Sequence, residues 1–212
     1  MIRVVVADDH AIVREGLKQL LAAAGDLQVV GEAADGHAVL KAVRDLELDV
    51  LLLDMSMPGK SGIELIKQVK DEKPKLRILV LTMHEEHQYA IRAIRAGASG
   101  YLTKESASRQ LIEALRKVAS GGAFISSEVA EQLALGAMPG ATHAPHETLS
   151  DREFQIFRLI AEGKSISDIG DQLNLSVKTV STHKANILQK MGMSGTAELI
   201  RYALSHKLID AS

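Results

Sequence analysis

The chain has 212 residues, of which 46% are hydrophobic and 25% charged, with 25 Lys and Arg against 27 Asp and Glu for a net charge of −2. This is the composition of a globular protein, and it excludes disordered, collagenous and low-complexity classes. The absence of cysteine excludes disulfides, thiolate metal sites and cysteine nucleophiles. No apolar run approaches the roughly 18 residues of a membrane span, and no signal-peptide pattern is present. We therefore expect a soluble, intracellular protein that does not engage a membrane.

The first 121 residues alternate short apolar runs with helical periodicity, a pattern typical of a parallel sheet covered by helices on both faces. Strands are predicted at Ile2–Ala7, Leu27–Ala33, Val50–Leu53, Ile78–Thr82 and Gly100–Leu102. Helices are predicted near Ile12–Ala24, Gly36–Val43, Ile63–Lys70, Gln88–Ala96 and Ala107–Ala119. The pattern predicts an α/β fold, a flavodoxin-like (βα)₅ unit with a five-stranded parallel sheet in the order 2-1-3-4-5.

A linker is predicted after this unit. Residues 124–135 have the pattern of a short helix, whereas proline and glycine interrupt residues 136–146 and disfavour regular structure there. We therefore divide the chain into a first domain (1–121), a linker helix with a flexible linker (122–147) and a second domain (148–212).

The second domain is predicted to be a small, all-α, four-helix domain. Its first helix has a capping box, because Ser150 precedes Glu153 by three residues, and Leu149 and Phe154 are spaced as a hydrophobic staple. A short helix from Ser165 or Ser167 to Leu173 and a tight turn then lead into a longer helix, residues 177–191. Two helices joined this closely indicate a helix-turn-helix. A last helix is predicted near residues 197–205.

Carboxylates follow two of the predicted strands. Asp8 and Asp9 come directly after the first strand, and Asp54 follows the third. Because ligands of open parallel sheets bind at the carboxyl ends of the strands near the point where strand order reverses, the three groups should meet beside the first strand. They repel one another unless a cation lies among them, and an all-oxygen site suits Mg²⁺. The sequence therefore predicts a magnesium site here.

Two further polar residues end the remaining strands. Thr82 closes the fourth, and Lys104 lies just beyond the fifth. A carboxylate nucleophile, a metal, a cation and a hydroxyl are the groups needed to accept a phosphoryl group, because that transfer depends on positioning and charge neutralisation. Asp54 is the predicted nucleophile. His10 directly follows the acidic pair, so two interpretations are open: it approaches the site, or it is simply a loop histidine, which is the simpler interpretation.

The longer helix of the helix-turn-helix has two faces. Its apolar face is predicted to hold Val177, Val180, Ile187, Leu188 and Met191. The opposite face holds Lys178, Ser181, Thr182, Ala185 and Gln189. Such a face suits the major groove of double-stranded DNA, with phosphates neutralised by Lys178, Lys184 and Lys190. A merely solvated amphipathic helix is the alternative.

Several motifs of the first domain resemble the receiver domain of bacterial two-component response regulators. They are Asp8-Asp9, Asp54 followed by Met57-Pro58 and Gly62, Thr82, Ala96-Gly97-Ala98 and Tyr101-Leu102-Thr103-Lys104. The resemblance implies that Asp54 is the phosphoacceptor for a cognate sensor histidine kinase. It also implies that Asp8, Asp9 and the Ser56 carbonyl are metal ligands, that Thr82 senses the phosphate with Lys104 as its partner, and that Tyr101 changes rotamer.

The second domain is similar to the LuxR-type DNA-binding domain. The similarity lies in Leu149-Ser150-x-Arg152-Glu153, Ile160-Ala161-x-Gly163-Lys164-Ser165, Ile169, Leu173, Leu175-Ser176, Thr179-Val180-x-x-His183, Lys190 and Glu198-Leu199. With the receiver it implies the NarL/FixJ class, in which the helix after the turn contacts DNA and the final helix pairs two protomers. Thr179 and His183 then join the predicted DNA contacts. Gly170 stands where alanine is usual, and we expect this glycine to loosen its helix.

The leading hypothesis is a transcription regulator controlled by phosphorylation of Asp54, which as a phosphorylated homodimer places two such helices about one DNA turn apart. An enzyme that uses Asp54 for Mg²⁺-dependent phosphatase or phosphotransferase turnover remains open, although the chain has neither a P-loop nor a dinucleotide-binding motif. A constitutively dimeric receiver attached to a DNA-binding domain is the third possibility.

Overall fold

A parallel sheet forms the centre of the amino-terminal part of the chain. The computed structural model describes residues 1–57, 62–82, 87–136, 144–206 and 208–209. Within these ranges the strands are β1 (Ile2–Ala7), β2 (Leu27–Ala33), β3 (Val50–Asp54), β4 (Arg77–Thr82) and β5 (Gly100–Thr103). All neighbouring pairs are parallel, in the order β2-β1-β3-β4-β5. The predicted fold class and strand order are confirmed.

Five helices connect and follow these strands in the described ranges: α1 (Ala11–Ala22), α2 (Gly36–Asp45), α3 (Gly62–Glu72), α4 (His87–Arg95) and α5 (Lys104–Ala119). Alternate residues of the inner strands, such as Val4 and Leu52, pack in one cluster with Leu21 of α1 and Leu115 of α5. The helices α2, α3 and α4 contact one another in sequence order. The inner strands are buried over most of their length because both faces of a parallel sheet are covered.

The segment that follows α5 is paired with the edge of the sheet. The amide of Tyr101 donates to the Phe124 carbonyl at 2.8 Å, and the amide of Phe124 donates to the Ser99 carbonyl at 3.1 Å. A Cβ at Gly100 would lie 3.0 Å from the Phe124 carbonyl oxygen, so a glycine is needed for this close approach. The prediction of a helix from residue 124 was wrong at its start, because α6 (Ser127–Gly136) begins only after this pairing.

The chain divides into two compact units, Met1–Ala130 and Glu131–Ser212. Much of the predicted irregular stretch, residues 137–143, lies outside the described residues. The prediction that residues 136–146 lack regular structure was wrong at the end of this stretch, where a short 3₁₀ helix forms at Pro145–Thr148. In this helix His146 is buried, and its Nδ1 lies 2.8 Å from the Tyr202 hydroxyl.

The helices α7 (Asp151–Ala161), α8 (Ile166–Leu173), α9 (Val177–Met191) and α10 (Thr196–Ser205) follow. Ser150 and Glu153 form the predicted capping box of α7, and Ser165 caps α8. Asn174 takes a left-handed conformation with φ of 53° and ends α8, and Ser176 caps α9. These caps confirm the predicted four-helix arrangement.

Gly170 lies where the turn passes closest to α8. The amide of Leu175 donates to the Gly170 carbonyl at 2.8 Å, and a Cβ on Gly170 would lie only 2.8 Å from the Leu175 carbonyl oxygen. These contacts do not test the expectation that this glycine loosens the helix, but they add a steric explanation for it. The missing side chain makes room for the turn between α8 and α9.

None of the helices in the described ranges combines the length and the apolar character that crossing a bilayer requires.

Candidate functional site

The register of the sheet places two carboxylates side by side. Ala7 of β1 is paired with Leu53 of β3, so Asp8 and Asp54 leave neighbouring strands at the same edge. Both residues are completely buried. Burial of two like charges is unfavourable without a compensating group.

Lys104 supplies a compensating charge. It is the first residue of α5, directly after β5. Its Nζ donates to Asp8 Oδ2 at 2.7 Å and to Asp54 Oδ2 at 2.8 Å. The other oxygen of Asp54 accepts the Ser56 amide at 3.0 Å. The ammonium therefore joins two carboxylates that come from separate strands.

Burial and hydrogen bonds act in opposite directions on the pKa values of Asp54 and Lys104. It raises the pKa of Asp54 above its ordinary value, although hydrogen bonds from Lys104 and the Ser56 amide oppose the shift. Burial alone would lower the pKa of Lys104, but the hydrogen bonds to Asp54 and Asp8 outweigh it and raise that pKa. One ammonium balances only one of the two carboxylates that it contacts. A second positive charge at the site is therefore favourable.

The donor set at this edge fits a divalent cation. Asp8, Asp9, His10 and Asp54 each offer one ligand atom, and these atoms all lie within 4.8 Å of one another. Carboxylate oxygens are the ligands that hard cations prefer. The acidic cluster is thus able to hold a metal ion.

His10 approaches the acidic pair, which was one of its two interpretations, from the extended residue before α1. Its Nδ1 lies 2.9 Å from Asp9 Oδ1 and 3.3 Å from Asp8 Oδ1, and its amide donates to Asp8 Oδ1 at 2.8 Å. The imidazole is still exposed to solvent, with 66% of the side chain accessible. Its position directly after the acidic pair in the sequence is the signal that pointed to this contact.

The remaining predicted residues of this site lie on neighbouring strands or loops. Thr82 is buried at the end of β4, opposite Thr103 of β5 in the sheet register. Tyr101 is half-buried on β5. Ser56 is exposed two residues after Asp54, and the described contact to the site is its backbone amide.

The predicted polar face of α9 is exposed. Lys178, Ser181, Thr182, Ala185 and Gln189 are all accessible, whereas Val180, Ile187 and Met191 are buried on the opposite side. Thr179, His183 and Lys184 are half-buried. Val177 was predicted to pack with the apolar residues, and this was wrong, because 53% of it is exposed.

Lys190 has a partner within its own unit. Its Nζ lies 2.7 Å from Glu153 Oε2, and the same carboxylate oxygen accepts the Ser150 amide at 2.8 Å. Burial would raise the pKa of Glu153, but the hydrogen bonds from Lys190 and Ser150 outweigh it, so that pKa is lowered. Lys190 therefore joins α9 to the beginning of α7, in addition to its predicted role towards phosphate.

Sequence profiles of two families match the chain. The profile of the response regulator receiver domain matches residues 4–116, and that of the bacterial regulatory proteins of the luxR family matches residues 147–203. The response regulator UvrY of Escherichia coli strain K12 is 38% identical over 212 residues, which are 100% of this chain and 97% of UvrY. The response regulator GacA of Pseudomonas aeruginosa is 39% identical over 213 residues, which cover 100% of both proteins.

Solved structures of RcsB are also similar. RcsB of Salmonella typhimurium matches with a TM-score of 0.73 and 32% identity, over 96% of this chain and 97% of that one. RcsB of Salmonella enterica serovar Typhimurium bound to promoter P1flhDC in the presence of the phosphomimetic BeF₃⁻ gives a TM-score of 0.69 and 33% identity, over 96% and 98% of the two chains.

Proposed function

The chain belongs to the NarL/FixJ class of response regulators, which join a receiver domain to a LuxR-type DNA-binding domain, and on this basis we propose that phosphorylation of Asp54 controls its binding to DNA. The observation that carries the proposal is the meeting of Asp8, Asp54 and Lys104 at one edge of the sheet. A cognate sensor histidine kinase is the proposed donor.

Asp54 is proposed to accept the phosphoryl group through a carboxylate oxygen. The bond between phosphorus and the donor's histidine nitrogen breaks as a phosphorus–oxygen bond to Asp54 forms, and the released imidazole takes a proton from water. Lys104 is within reach of both carboxylates and stabilises the added negative charge. The Ser56 amide, which now donates to Asp54, is placed to orient the same carboxyl group.

Asp8, Asp9 and Asp54, with the Ser56 carbonyl, are the proposed ligands of Mg²⁺. When bound, the ion neutralises phosphoryl oxygens and lowers the repulsion between donor and acceptor. The exposed imidazole of His10 lies beside the acidic pair.

Thr82, Lys104 and Tyr101 are the proposed residues that sense the phosphate. Thr82 and Lys104 flank the strand ends next to Asp54, and Tyr101 lies on the neighbouring strand. A phosphate on Asp54 that hydrogen-bonds both Thr82 and Lys104 would favour one conformation of β4 and β5 over another. The coupling free energy between phosphorylation and this conformational change is expected to be roughly 1–3 kcal/mol.

The proposed output is binding of double-stranded DNA by a phosphorylated homodimer. The exposed face of α9 carries the proposed contacts, with Lys178, Thr179, Ser181, Thr182, His183, Lys184, Ala185 and Lys190 as its residues. RcsB of Salmonella enterica has been solved on promoter DNA in the presence of a phosphomimetic, which supports DNA binding by the phosphorylated form here. Because the target DNA of a bacterial regulator lies in the cytoplasm, we propose that compartment for the protein.

The test measures phosphate incorporation from a small phosphoryl donor with Mg²⁺. Wild-type protein should be labelled once per chain, Asp54→Asn should remain unlabelled, and Asp71→Asn, which alters an exposed carboxylate on α3, should be labelled like wild type. A duplex selected by wild type from a random pool should bind more tightly after labelling. Equal labelling of wild type and Asp54→Asn would refute the proposal. We also propose that the chain is not an enzyme. Continued release of phosphate from a small ester over many turnovers would contradict this and favour the enzymatic alternative.

A further inference from the structure

Val177 is an exposed apolar side chain at the start of α9. It is the first residue of α9, and 53% of it is exposed, whereas Val180, Ile187 and Met191 of the same helix are buried. An isolated exposed valine is common on protein surfaces. Val177 lies at the amino terminus of the helix that follows the turn. The first residues of such a helix contact base edges in the major groove, so Val177 is in a position to contact DNA.

The position of Val177 is fixed by the cap of α9. Ser176 Oγ accepts the Thr179 amide at 3.0 Å and lies 2.8 Å from the Thr179 hydroxyl. This cap sets the first turn of the helix on both sides of Val177. The valine methyl groups are therefore presented from an ordered backbone, which lowers the entropy that binding would cost.

Val177 shares a row with other exposed small residues. Residues four apart on a helix are neighbours, so Val177, Ser181 and Ala185 form one line along α9, and all three are exposed. The first turn contains no acidic residue, and Lys178 lies beside the line. This surface suits a groove lined by phosphates.

Local hydrogen bonds engage the hydroxyl groups of two neighbouring threonines. Thr182 Oγ1 donates to the Lys178 carbonyl at 3.0 Å, and the Thr179 hydroxyl lies against Ser176. Val177 needs no hydrogen-bond partner, and its methyl groups can lose water on contact with another apolar group. The apolar group that the major groove offers is the C5-methyl of thymine.

We propose that Val177 is a specificity-determining residue that contacts the C5-methyl group of a thymine in the bound DNA. This inference rests on the proposed DNA-binding function. It predicts a preference for an A·T pair at one position of each half-site, in a defined strand orientation, because only thymine carries that methyl group.

The test replaces thymine by deoxyuridine, which removes the methyl group and keeps base pairing. The probe is the duplex that full-length wild-type protein, activated with BeF₃⁻ and Mg²⁺, binds most tightly from a random pool. Each thymine of a half-site is changed to deoxyuridine in turn. One position should weaken wild-type binding about fourfold, the value expected for losing burial of a single methyl group.

Val177→Ala should bind the thymine duplex and the deoxyuridine duplex equally tightly, because it has already lost the contact with the thymine methyl group. Changing both the protein and the DNA in this way measures the energy of that contact. Ile12→Ala, which trims another exposed apolar side chain on α1, should keep the full deoxyuridine effect. Circular dichroism checks that both variants are folded.

Two results would overturn the inference. In one, deoxyuridine weakens Val177→Ala as much as wild type, which would assign the methyl contact to another residue such as Ala185. In the other, Val177→Ala weakens binding uniformly on all duplexes while no deoxyuridine has an effect. A wild-type protein that selects no duplex at all would instead refute the proposed DNA-binding function.

Discussion

Lys104 Nζ lies 2.8 Å from Asp54 Oδ2, so the proposed phosphoacceptor is already bonded to a cation that comes 50 residues later in the chain. The same ammonium bonds Asp8. Two buried carboxylates thus depend on one side chain, and this dependence leads to the first prediction.

Removing Lys104 should destabilise the receiver unit. In Lys104→Ala the carboxylates of Asp8 and Asp54 keep their burial but lose their shared donor, so we expect a loss of about 1.5–3 kcal/mol in the free energy of unfolding. Mg²⁺ should restore more stability to the variant than it adds to wild type, because the ion replaces the missing charge. Urea denaturation with EDTA or with Mg²⁺ measures both effects.

Lys41→Ala is the control for this experiment. Lys41 pairs with Asp45 on an exposed surface of α2, with 78% and 53% of the two side chains accessible. Such pairs contribute less than about 1 kcal/mol, so the control should resemble wild type. Equal unfolding free energies for Lys104→Ala and Lys41→Ala would contradict a stabilising role for the buried contacts.

Acid should weaken the junction between α7 and α9. The pKa of Glu153 is lowered in the folded state despite its burial, by its bonds with Lys190 and Ser150. A carboxylate whose pKa is lower when folded stabilises the protein above its unfolded pKa of about 4.3, and this stability is lost as the pH falls through the folded value. Glu153→Gln should therefore cost about 1 kcal/mol at neutral pH and progressively less below about pH 4.

Hydrogen exchange of the α7 amides, compared between wild type and Glu153→Gln across this pH range, measures the difference. Asp168→Asn is a useful comparison, because it alters the exposed capping box of α8 and leaves Lys190 in place. A difference between wild type and Glu153→Gln that grows on acidification would show that the sign is wrong.

A methyl group on Gly170 should disturb the turn before α9. In Gly170→Ala the new Cβ would lie 2.8 Å from the Leu175 carbonyl oxygen, so backbone must move. We expect a loss of about 1–3 kcal/mol, as for other overpacked sites, and weaker DNA binding. Gly16→Ala, at a helical position with nothing within 4 Å, should instead stabilise the protein by up to about 1 kcal/mol. Unchanged thermal stability and DNA affinity in Gly170→Ala would refute the steric explanation.

A methyl group on Gly100 should detach the segment after α5 from the sheet. The new Cβ would lie 3.0 Å from the Phe124 carbonyl oxygen and 2.8 Å from Leu79 Cδ1. We expect faster amide exchange at Tyr101, whose amide donates to Phe124, whereas labelling of Asp54 should be retained. If Tyr101 exchange is as slow as in wild type, the pairing does not depend on this glycine.

The strand ends could be predicted from sequence because each strand is a short apolar run with a polar residue directly after it. That rule located Asp8, Asp54 and Lys104, and the parallel order explains why they meet. The sequence left two interpretations of His10 open, since a single exposed imidazole gives no periodic signal. The pairing of Phe124 with β5 was missed, because a single bridge is too short to produce an alternating pattern.

The surroundings of single residues were harder to predict. Helix periodicity assigns Val177 to the apolar face of α9. Val177 is nevertheless exposed, because it lies in the first turn and the rest of the unit does not cover it. The role of Gly170 depends on how closely the turn passes over α8, which is a tertiary contact. The exposure of Val177 and the close approach at Gly170 are both set by tertiary packing and not by the local sequence.

The pairing of Phe124 with β5 has a practical consequence for any shortened form of this protein. A receiver cut at the predicted boundary, residue 121, would lose the strand-like cover of its outer edge and leave the Tyr101 amide open to a neighbouring molecule. Bare edges of this kind invite self-association. A fragment that ends at residue 130 keeps the cover, and it is therefore the better starting point for isolating the receiver in monomeric form.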